Sequence, residues 1–294
     1  MKIIIPDYYK DFKCIADKCK HSCCKGWEIE IDENSCARFS RHEDIWKYVE
    51  TGDSPHFRLS DDEVCPFLLE NGLCNMILKY GEDFLCQTCT DHPRFRNYWS
   101  DRIEMGLGLV CEEAARIILT RTSPMRLVSF PDNNEVPSDL TPEDSSAADT
   151  VPTNTPAADS LPTDTPAADT VPTDTPAADS SSTPTNTSQD LTEEELWLLN
   201  LRDAMISQIT DNGPIARLKE YLIYRHIPDA LYDDRLEERI AFINYFLEQS
   251  EKALARSDQS IEALIEIVRQ LSYDLEYDEE EKERILSSFQ QKPV

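Results

Sequence analysis

Apolar residues recur with the period of strands or of helices in the first and last parts of the chain. Residues Trp27–Asp32 alternate apolar and polar side chains, which is typical of a half-buried strand, and Ile103–Val110 also predicts a strand. The segment Cys111–Leu119, with acids in its first turn, predicts a helix, and so do the apolar positions between about 34 and 49. We therefore expect a mixed α+β fold for residues 1–130.

Residues 191–294 show helical spacing almost throughout. A helix that opens with the capping sequence Thr192–Glu195 is expected to end before Asn212-Gly213-Pro214. Further helices are predicted over about 215–227, 230–250, 259–272 and 279–289. Arg235 and Arg239 lie among acids, which predicts a solvated helix face. The pattern predicts a mainly α-helical C-terminal domain.

The middle of the chain has a different composition. The ten-residue sequence at 151–160, rich in Pro, Thr, Ala and Asp, recurs at 161–170 and 171–180. One Val or Leu per copy cannot offset a backbone ordering entropy of about 1–2 kcal/mol per residue, so a disordered linker is expected. The predicted organisation is a cysteine-rich domain at 1–130, a repeat linker at 131–190 and a helical domain at 191–294.

Charge narrows the range of partners. The net charge is -28, and residues 1–130 carry 17 Lys and Arg against 22 Asp and Glu, whereas residues 191–294 carry 12 against 23. Nucleic acid and anionic membrane surfaces attract basic proteins, so neither is expected as a partner. The apolar run Ile3–Ile5 is too short for a secretory signal, and no run reaches the roughly 18–20 residues of a membrane span. We expect a cytoplasmic protein.

All ten cysteines lie within the first 130 residues, and four of them fall between Cys14 and Cys24. In a reducing compartment such thiols are metal ligands or catalytic groups more often than disulfides. Only Cys86 and Cys89 show the short spacing of a zinc knuckle, and adjacent thiols such as Cys23 and Cys24 fit a polynuclear site better than one tetrahedral ion. Spacing alone leaves a disulfide framework, a zinc site and an iron–sulfur cluster open, and we favour the cluster. The candidate metal ligands are Cys14, Cys19, Cys23, Cys24, Cys65, Cys74, Cys86, Cys89 and Cys111.

Cys36 lies inside a predicted helix, away from the dense groups of thiols, and is expected to be a small buried apolar residue. His21 and His92 lie beside thiols and are candidates for ligands or for groups that orient ligands. The expected fold is thus a mixed α+β cysteine-rich metal-binding domain, followed by a repeat linker and a helical domain.

Two sets of motifs carry a resemblance to known families. Cys23-Cys24, Cys65–Leu68, Gly72–Cys74 and Cys86 to Arg94 resemble a cysteine-cluster domain described as zinc- or iron-chelating. The fuller pattern resembles the flagellin lysine-N-methylase family, and it comprises PDYYKDFKC at 6–14, LCQTCTDHPR at 85–94, LGLVCEEAARIIL at 107–119 and YLIYRHIPDALYDDRLEERIAF at 221–242. The repeat linker interrupts this pattern.

The resemblance implies a methyltransferase that uses S-adenosylmethionine to methylate surface lysines of flagellin, with an iron–sulfur cluster, a [4Fe–4S] type or alternatively zinc, held by the cysteines. A dinucleotide-type glycine loop is absent from the sequence, which offers only Gly106-x-Gly108 inside a predicted strand. The usual methyltransferase fold is therefore not expected, and the cofactor is expected to bind by other means.

Methyl transfer requires a neutral lysine amine, and forming it at about pH 7 costs roughly 4.6 kcal/mol from a reference pKa of about 10.4. Candidates for this work, by position in the family-like motif, are Tyr221, Tyr224, Arg225, His226 and Asp233, with Asp229 and Asp234 as further carboxylates. Tyrosines at helical spacing also fit a core, and paired aspartates fit a helix cap. The alternative function is a zinc- or iron-binding or redox module without methylase activity.

Overall fold

The computed structural model describes residues 2–130 and 190–290. The predicted disordered linker therefore lies outside the described residues, except for Asp190. In the first described segment the strands are β1 (Lys2–Pro6), β2 (Val49–Glu50), β3 (His56–Phe57), β4 (Arg94–Tyr98), β5 (Arg102–Leu107) and β6 (Leu127–Phe130). Its helices are α1 (Glu33–Phe39), α2 (Glu43–Trp46), α3 (Asn75–Tyr80), α4 (Gln87–Asp91) and α5 (Glu112–Leu119).

The second described segment is helical. Its helices are α6 (Glu193–Ser207), α7 (Pro214–His226), α8 (Ala230–Asp233), α9 (Leu236–Leu254), α10 (Ile261–Ser272) and α11 (Glu279–Gln290), with a π-helical turn at Tyr273–Tyr277 between the last two. The predicted capping box is present, because the Thr192 side chain accepts from Glu195 N and the Glu195 carboxylate accepts from Thr192 N. Pro214 occupies the first turn of α7, where its missing N–H costs nothing.

A four-stranded sheet orders its strands β4-β5-β1-β6. Strand β1 runs parallel to β5 and antiparallel to β6, with Ile3 opposite both Ile103 and Phe130. Its three isoleucines are buried, which is the usual state of a central strand covered on both faces. The sheet therefore brings the N-terminal strand and the segment before α5 together.

The two described segments share one hydrophobic core, which we call the main core. It joins the sheet to α5 and to the helices of the second segment, and its fully buried members include Ile3, Leu107, Ile118, Leu222, Phe242 and Val268. Charges lie inside it as pairs: Glu104 on β5 contacts the guanidinium of Arg202 on α6, and both side chains are almost fully buried. Pairing is required because an isolated charge cannot be buried cheaply.

A second cluster, the small core, lies between Ile29 and Cys86. It consists of Ile29, Ile31, Phe39, Ile45, Val49, Phe57, Cys65, Phe67, Met76 and Cys86. Only two-residue strands and short helices surround it. The backbone is held by single contacts such as Ile31 N to Pro55 O at 2.7 Å and Cys65 N to Cys24 O at 2.9 Å.

Several sequence predictions need correction. Residues Trp27–Asp32 do not form a strand and pair only at Glu30 with His56, although Ile29 and Ile31 are buried as the alternation indicates. In place of the single helix expected over 34–49, the chain forms two short helices, α1 and α2, with a turn between them. The last residue of the expected range begins strand β2.

The third predicted helix of the C-terminal segment is also interrupted. The break falls at Asp234, whose φ of 53° ends α8 in the left-handed conformation that Asp tolerates. Arg239 was expected on a solvated face, but it is buried because it donates to Asp229 and Asp233. Within the described residues, no helix is long and apolar enough to cross a membrane.

Candidate functional site

The predicted thiol ligands fall into two neighbourhoods. Five of them, which we call the inner thiols, surround the small core: Cys24, Cys65, Cys74, Cys86 and Cys89. Two short helices position three of these side chains, because Cys74 immediately precedes α3, Cys86 immediately precedes α4 and Cys89 lies within α4. The hydrogen bond from Cys65 N to Cys24 O ties the remaining two together.

The other four, the outer thiols, are Cys14, Cys19, Cys23 and Cys111. Cys111 occupies the N-cap position of α5, without a side-chain capping hydrogen bond, and packs against the main core. The loop containing Cys19 is fixed to the same helix end, because Glu112 Oε2 accepts from Lys20 N at 2.8 Å and lies 3.7 Å from the Cys19 Sγ. This contact brings the first cysteine loop to the start of α5.

Burial and neighbouring sulfur atoms change the acidity of the thiols. Burial raises the pKa of Cys65 to about 12, with further increases from the nearby thiolates of Cys24, Cys74 and Cys86. The hydrogen bond between the thiols of Cys86 and Cys89 lowers the pKa of Cys86 and raises that of Cys89. These shifts mark thiols that are close enough to interact.

The same effect operates where the two neighbourhoods meet. The hydrogen bond between the thiols of Cys23 and Cys24 lowers the pKa of Cys24 to about 7 and raises that of Cys23, whose other thiol neighbours are Cys14 and Cys111. Burial raises the pKa of Cys19 to about 11, and Cys111 and Cys14 add to the increase.

Within the described ranges, no three His, Cys, Asp or Glu side chains are arranged to hold one metal ion. The donors nevertheless fit a soft metal or an iron–sulfur group in chemical type, since all nine predicted ligands are free thiols and thiolate is the preferred ligand of both. The metal-binding character of the cysteine-rich region remains a prediction.

The two candidate histidines have other partners. His21 Nε2 lies 2.6 Å from Glu266 Oε2 on α10, so it links the first cysteine loop to the helical segment. His92 packs against the ring of Trp27, and burial together with the charge of Arg94 lowers the pKa of His92 to about 4. His92 is therefore neutral at pH 7.

The predicted catalytic residues lie mainly on α7. Tyr221 Oη donates to Glu276 Oε1 at 3.2 Å, and His226 Nε2 lies 2.9 Å from the same oxygen. All three side chains are buried, with Tyr221 and His226 each 1% exposed. Although burial raises the pKa of Glu276, contact with His226 and the charge of Arg225 bring it below its usual value. An anionic carboxylate thus holds the tyrosine and the histidine in place.

A second carboxylate cluster lies beside His226. Asp229 Oδ2 lies 3.7 Å from His226 Nδ1 and accepts from Arg239 at 3.1 Å. Burial raises the pKa of Asp229, but His226, Arg225 and Arg239 outweigh this and lower it to about 2. Asp233 Oδ2 accepts from Arg239 at 2.6 Å, so this predicted amine-orienting carboxylate already has a cationic partner.

Tyr224 occupies a different place from Tyr221. It is fully buried against the sheet, where its hydroxyl donates to Met105 O at 3.0 Å. Phe95 on β4 packs against both tyrosine rings and lies directly opposite Gly106 on β5. A Cβ at Gly106 would lie 2.2 Å from the Phe95 ring, so this glycine makes room for an aromatic ring rather than for a cofactor phosphate.

Glu276 is the member of this cluster that the sequence did not point to. A usable signal exists, because Leu264, Val268 and Ser272 are buried at a spacing of four residues and the next position in that register is Glu276. A carboxylate on the buried face of a helix requires a partner, and His226 is that partner here.

Comparison with known proteins relates the chain to proteins named for lysine methylation and for flagellar biosynthesis. It is 24% identical over 143 residues to proteins named lysine-N-methylase from Salmonella choleraesuis and Salmonella typhimurium, and each match covers 42% of this chain and 33% of the relative. A match of the same length and identity covers 79% of the flagellar biosynthetic protein FliU of Salmonella muenchen. No family model and no solved structure matches the chain.

These matches confirm the resemblance to the flagellin lysine-N-methylase family, whereas the resemblance to a cysteine-cluster domain stays a prediction. The match spans only about a third of the length of the two lysine-N-methylases.

Proposed function

We propose that the chain is a protein-lysine N-methyltransferase that uses S-adenosylmethionine, acts on flagellin in the cytoplasm and holds an iron–sulfur cluster with its cysteines. The observation that carries the proposal is the similarity to relatives named for lysine methylation and for flagellar biosynthesis. The nine predicted ligands are free thiols, the donor type that an iron–sulfur cluster takes, which supports the cluster. Flagellin is the proposed substrate because one relative is named for lysine methylation and another for flagellar biosynthesis.

The proposed reaction moves one methyl group. The S–CH₃ bond of S-adenosylmethionine breaks, an N–CH₃ bond forms at the lysine Nζ, and the amine proton passes to solvent or to a carboxylate. The products are a methylated lysine and S-adenosylhomocysteine. Methylation keeps the positive charge of lysine, so the substrate changes in size and hydrophobicity rather than in charge.

The chain's own residues divide into two roles in this proposal. Tyr221, Tyr224 and His226 are buried, which argues for a positioning role in the helix that carries them. Asp229 and Asp233 are partly exposed, with side-chain exposures of 23% and 18%, and their negative charge suits contact with a lysine amine. An incoming lysine would share these carboxylates with Arg239.

A direct assay tests the proposal. The full chain, purified without oxygen, is incubated with flagellin and S-adenosylmethionine, and the substrate is analysed by mass spectrometry. We expect flagellin to gain mass in steps of one methyl group on lysine, and to gain none when S-adenosylmethionine is left out. Unmodified flagellin from a protein with its full metal content would refute the proposal.

A matched pair of variants tests the carboxylate role. Asp233→Asn keeps the shape of the side chain and removes its charge, so we expect kcat to fall by about tenfold or more. Asp234 was a further candidate carboxylate, but it is exposed, so Asp234→Asn, which makes the same chemical change where Asn also tolerates the left-handed backbone, should leave kcat at the wild-type value. Equal losses in both variants would remove Asp233 from the proposed site.

The alternative function is a zinc- or iron-binding or redox module without methylase activity. Two observations favour it: the match covers only a third of each lysine-N-methylase, and the predicted catalytic side chains of α7 are buried. Calorimetry separates the two proposals, because the module would keep its metal and show no heat of binding with S-adenosylmethionine.

A further inference from the structure

A cleft lies between two loops of the first described segment. One wall is formed by residues 16–25 and the other by residues 64–72. The volume of the cleft is about 350 Å³, within the roughly 300–1,000 Å³ that is typical of small-molecule sites. None of the residues that line it was predicted to be catalytic. The cleft is therefore a cavity of ligand size with no assigned role.

The two walls are joined at both ends of the cleft. At one end Lys25 pairs with Val64 in an antiparallel bridge. At the other end Gly72 packs against Asp17, because a Cβ on this glycine would lie 3.1 Å from the Asp17 Cα. The φ of Gly72 is +80°, a left-handed conformation that also favours glycine. The walls are thus fixed to each other at two points and separated between them.

The charged groups of the cleft have both signs. Lys20 and Lys25 supply two exposed ammonium groups on one wall, and Glu70 supplies an exposed carboxylate on the other. Within the described part of the chain, none of these three side chains takes part in an ion pair. They are therefore available to a bound molecule that carries charges of both signs.

Apolar side chains lie on the same wall as Glu70. Val64 and Leu68 are half-buried, and Leu69 is 37% exposed. A flat ring that covers these side chains removes apolar surface from water, which favours binding. The cleft thus suits a molecule with a zwitterionic end and a ring system.

Of the two reactants in the proposed function, one has these features together. S-adenosylmethionine joins an α-amino acid, with its carboxylate and ammonium groups, to an adenosine, whereas the reacting lysine presents a single cation. The sequence lacks the glycine loop that would bind such a molecule in the usual methyltransferase fold. The methyl donor is therefore the reactant whose chemistry matches the cleft.

We propose that this cleft binds S-adenosylmethionine, with Lys20 and Lys25 binding its carboxylate, Glu70 its ammonium group and the apolar wall its adenosine. This inference rests on the proposed function, which supplies the methyl donor, and it adds the site of that donor. Lys20, Lys25 and Glu70 are exposed, so the cleft is open to solvent. An open site suits a donor whose product, S-adenosylhomocysteine, must leave after each methyl transfer.

Calorimetry with two related molecules tests the proposal. The full chain is purified without oxygen and titrated with S-adenosylhomocysteine, which keeps the amino acid, and with methylthioadenosine, which keeps the adenosine and lacks the amino acid. We expect Lys20→Gln with Lys25→Gln to weaken the binding of S-adenosylhomocysteine by about tenfold or more, because its carboxylate loses both cationic partners. Glu70→Gln should also weaken it. The affinity for methylthioadenosine should be the same in the wild type and in all variants.

A matched control uses another lysine of the same loop. Lys18 is exposed and does not line the cleft, so Lys18→Gln should bind S-adenosylhomocysteine as tightly as the wild type does. Three results would overturn the proposal. They are a wild-type chain that does not bind S-adenosylhomocysteine, a double lysine variant with unchanged affinity for it, and a double variant that loses affinity for both molecules equally.

The outcome is separable from the methylase assay. If the double lysine variant loses affinity for S-adenosylhomocysteine alone, but the wild type leaves flagellin unmodified, the proposed activity is refuted and the assignment of the cleft stands. If the wild type methylates flagellin and the double variant binds S-adenosylhomocysteine with unchanged affinity, the activity stands and the methyl donor binds elsewhere.

Discussion

The main core and the small core differ in size, in cysteine content and in the secondary structure that supports them. Among the described residues, the main core contains 33 buried apolar side chains and the small core 10, of which two are cysteines. The main core rests on a four-stranded sheet and long helices, whereas the small core rests on isolated bridges and helices of four to seven residues. A hydrophobic core in a segment of fewer than roughly 70–80 residues rarely contributes more than about 3–5 kcal/mol to the free energy of unfolding.

The difference between the two cores predicts that the cysteines stabilise the small core rather than the main core. Hydrophobic burial and paired charges such as Glu104 with Arg202 suffice to explain the main core. The small core is too small to depend on burial alone, and domains of this kind commonly gain stability from a metal or disulfides. We therefore expect the two cores to respond differently to the same treatment.

The largest expected effect comes from metal removal. If the cysteines hold the proposed metal, a chelator under anaerobic conditions should unfold the small core, because the thiols would lose the bonds that hold its loops together, and leave the main core folded. Hydrogen exchange checks this: protection of the Ile31 and Cys65 amides should fall by orders of magnitude, while the amides of β1 and β5 keep theirs. If the amides of both cores kept equal protection from hydrogen exchange after chelation, the small core would not depend on metal more than the main core does.

A smaller effect is expected from a substitution in the sheet of the main core. Gly106→Ala places a methyl group against the Phe95 ring, so we expect a loss of about 1–3 kcal/mol in the free energy of unfolding. Urea denaturation measures it. Adding Phe95→Leu should recover part of the loss, and no recovery would show that the ring is not the obstacle. Metal content should stay unchanged in both variants.

The smallest expected effect depends on pH. The pKa of Asp229 is about 2, below its ordinary value of 3.8, so its stabilising contribution is complete above pH 3.8 and is lost as the pH falls through 2. The contribution at neutral pH is at most about 2 kcal/mol. Asp229→Asn should therefore lose stability at pH 6 and show a flatter decline between pH 4 and 2. The exposed Asp234→Asn serves as the control, and identical pH profiles for both variants would contradict the assignment.

Helices with a regular apolar period over several turns were predictable from the sequence. The helices α5, α6, α7 and α11 lie within a few residues of their expected bounds, because their apolar periods and caps are local signals. The strand β1 was missed because Ile3–Ile5 is a continuous apolar run without alternation, as a strand buried on both faces requires. The π-helical turn at Tyr273–Tyr277 also has no simple local signal.

The candidate site was predictable only in part. The sequence identified the thiols by residue type, but their division into inner and outer groups depends on contacts between distant segments, such as Cys19 with Glu112. Tyr221 and His226 were named from the family-like motif, whereas Glu276, which contacts both, lies 50 residues from His226. Pairings at such separation are decided by tertiary packing, which a local period does not encode.

The contact between the Tyr273 hydroxyl and Gly26 O has a consequence for synthesis. The loop that carries His21 and Gly26 leaves the ribosome first, while their partners Glu266 and Tyr273 are added about 245 residues later. During that interval the loop is free of both contacts. The sulfur atoms of the loop are thus accessible in the nascent chain, and α10 with the π-helical turn after it then holds the loop in place.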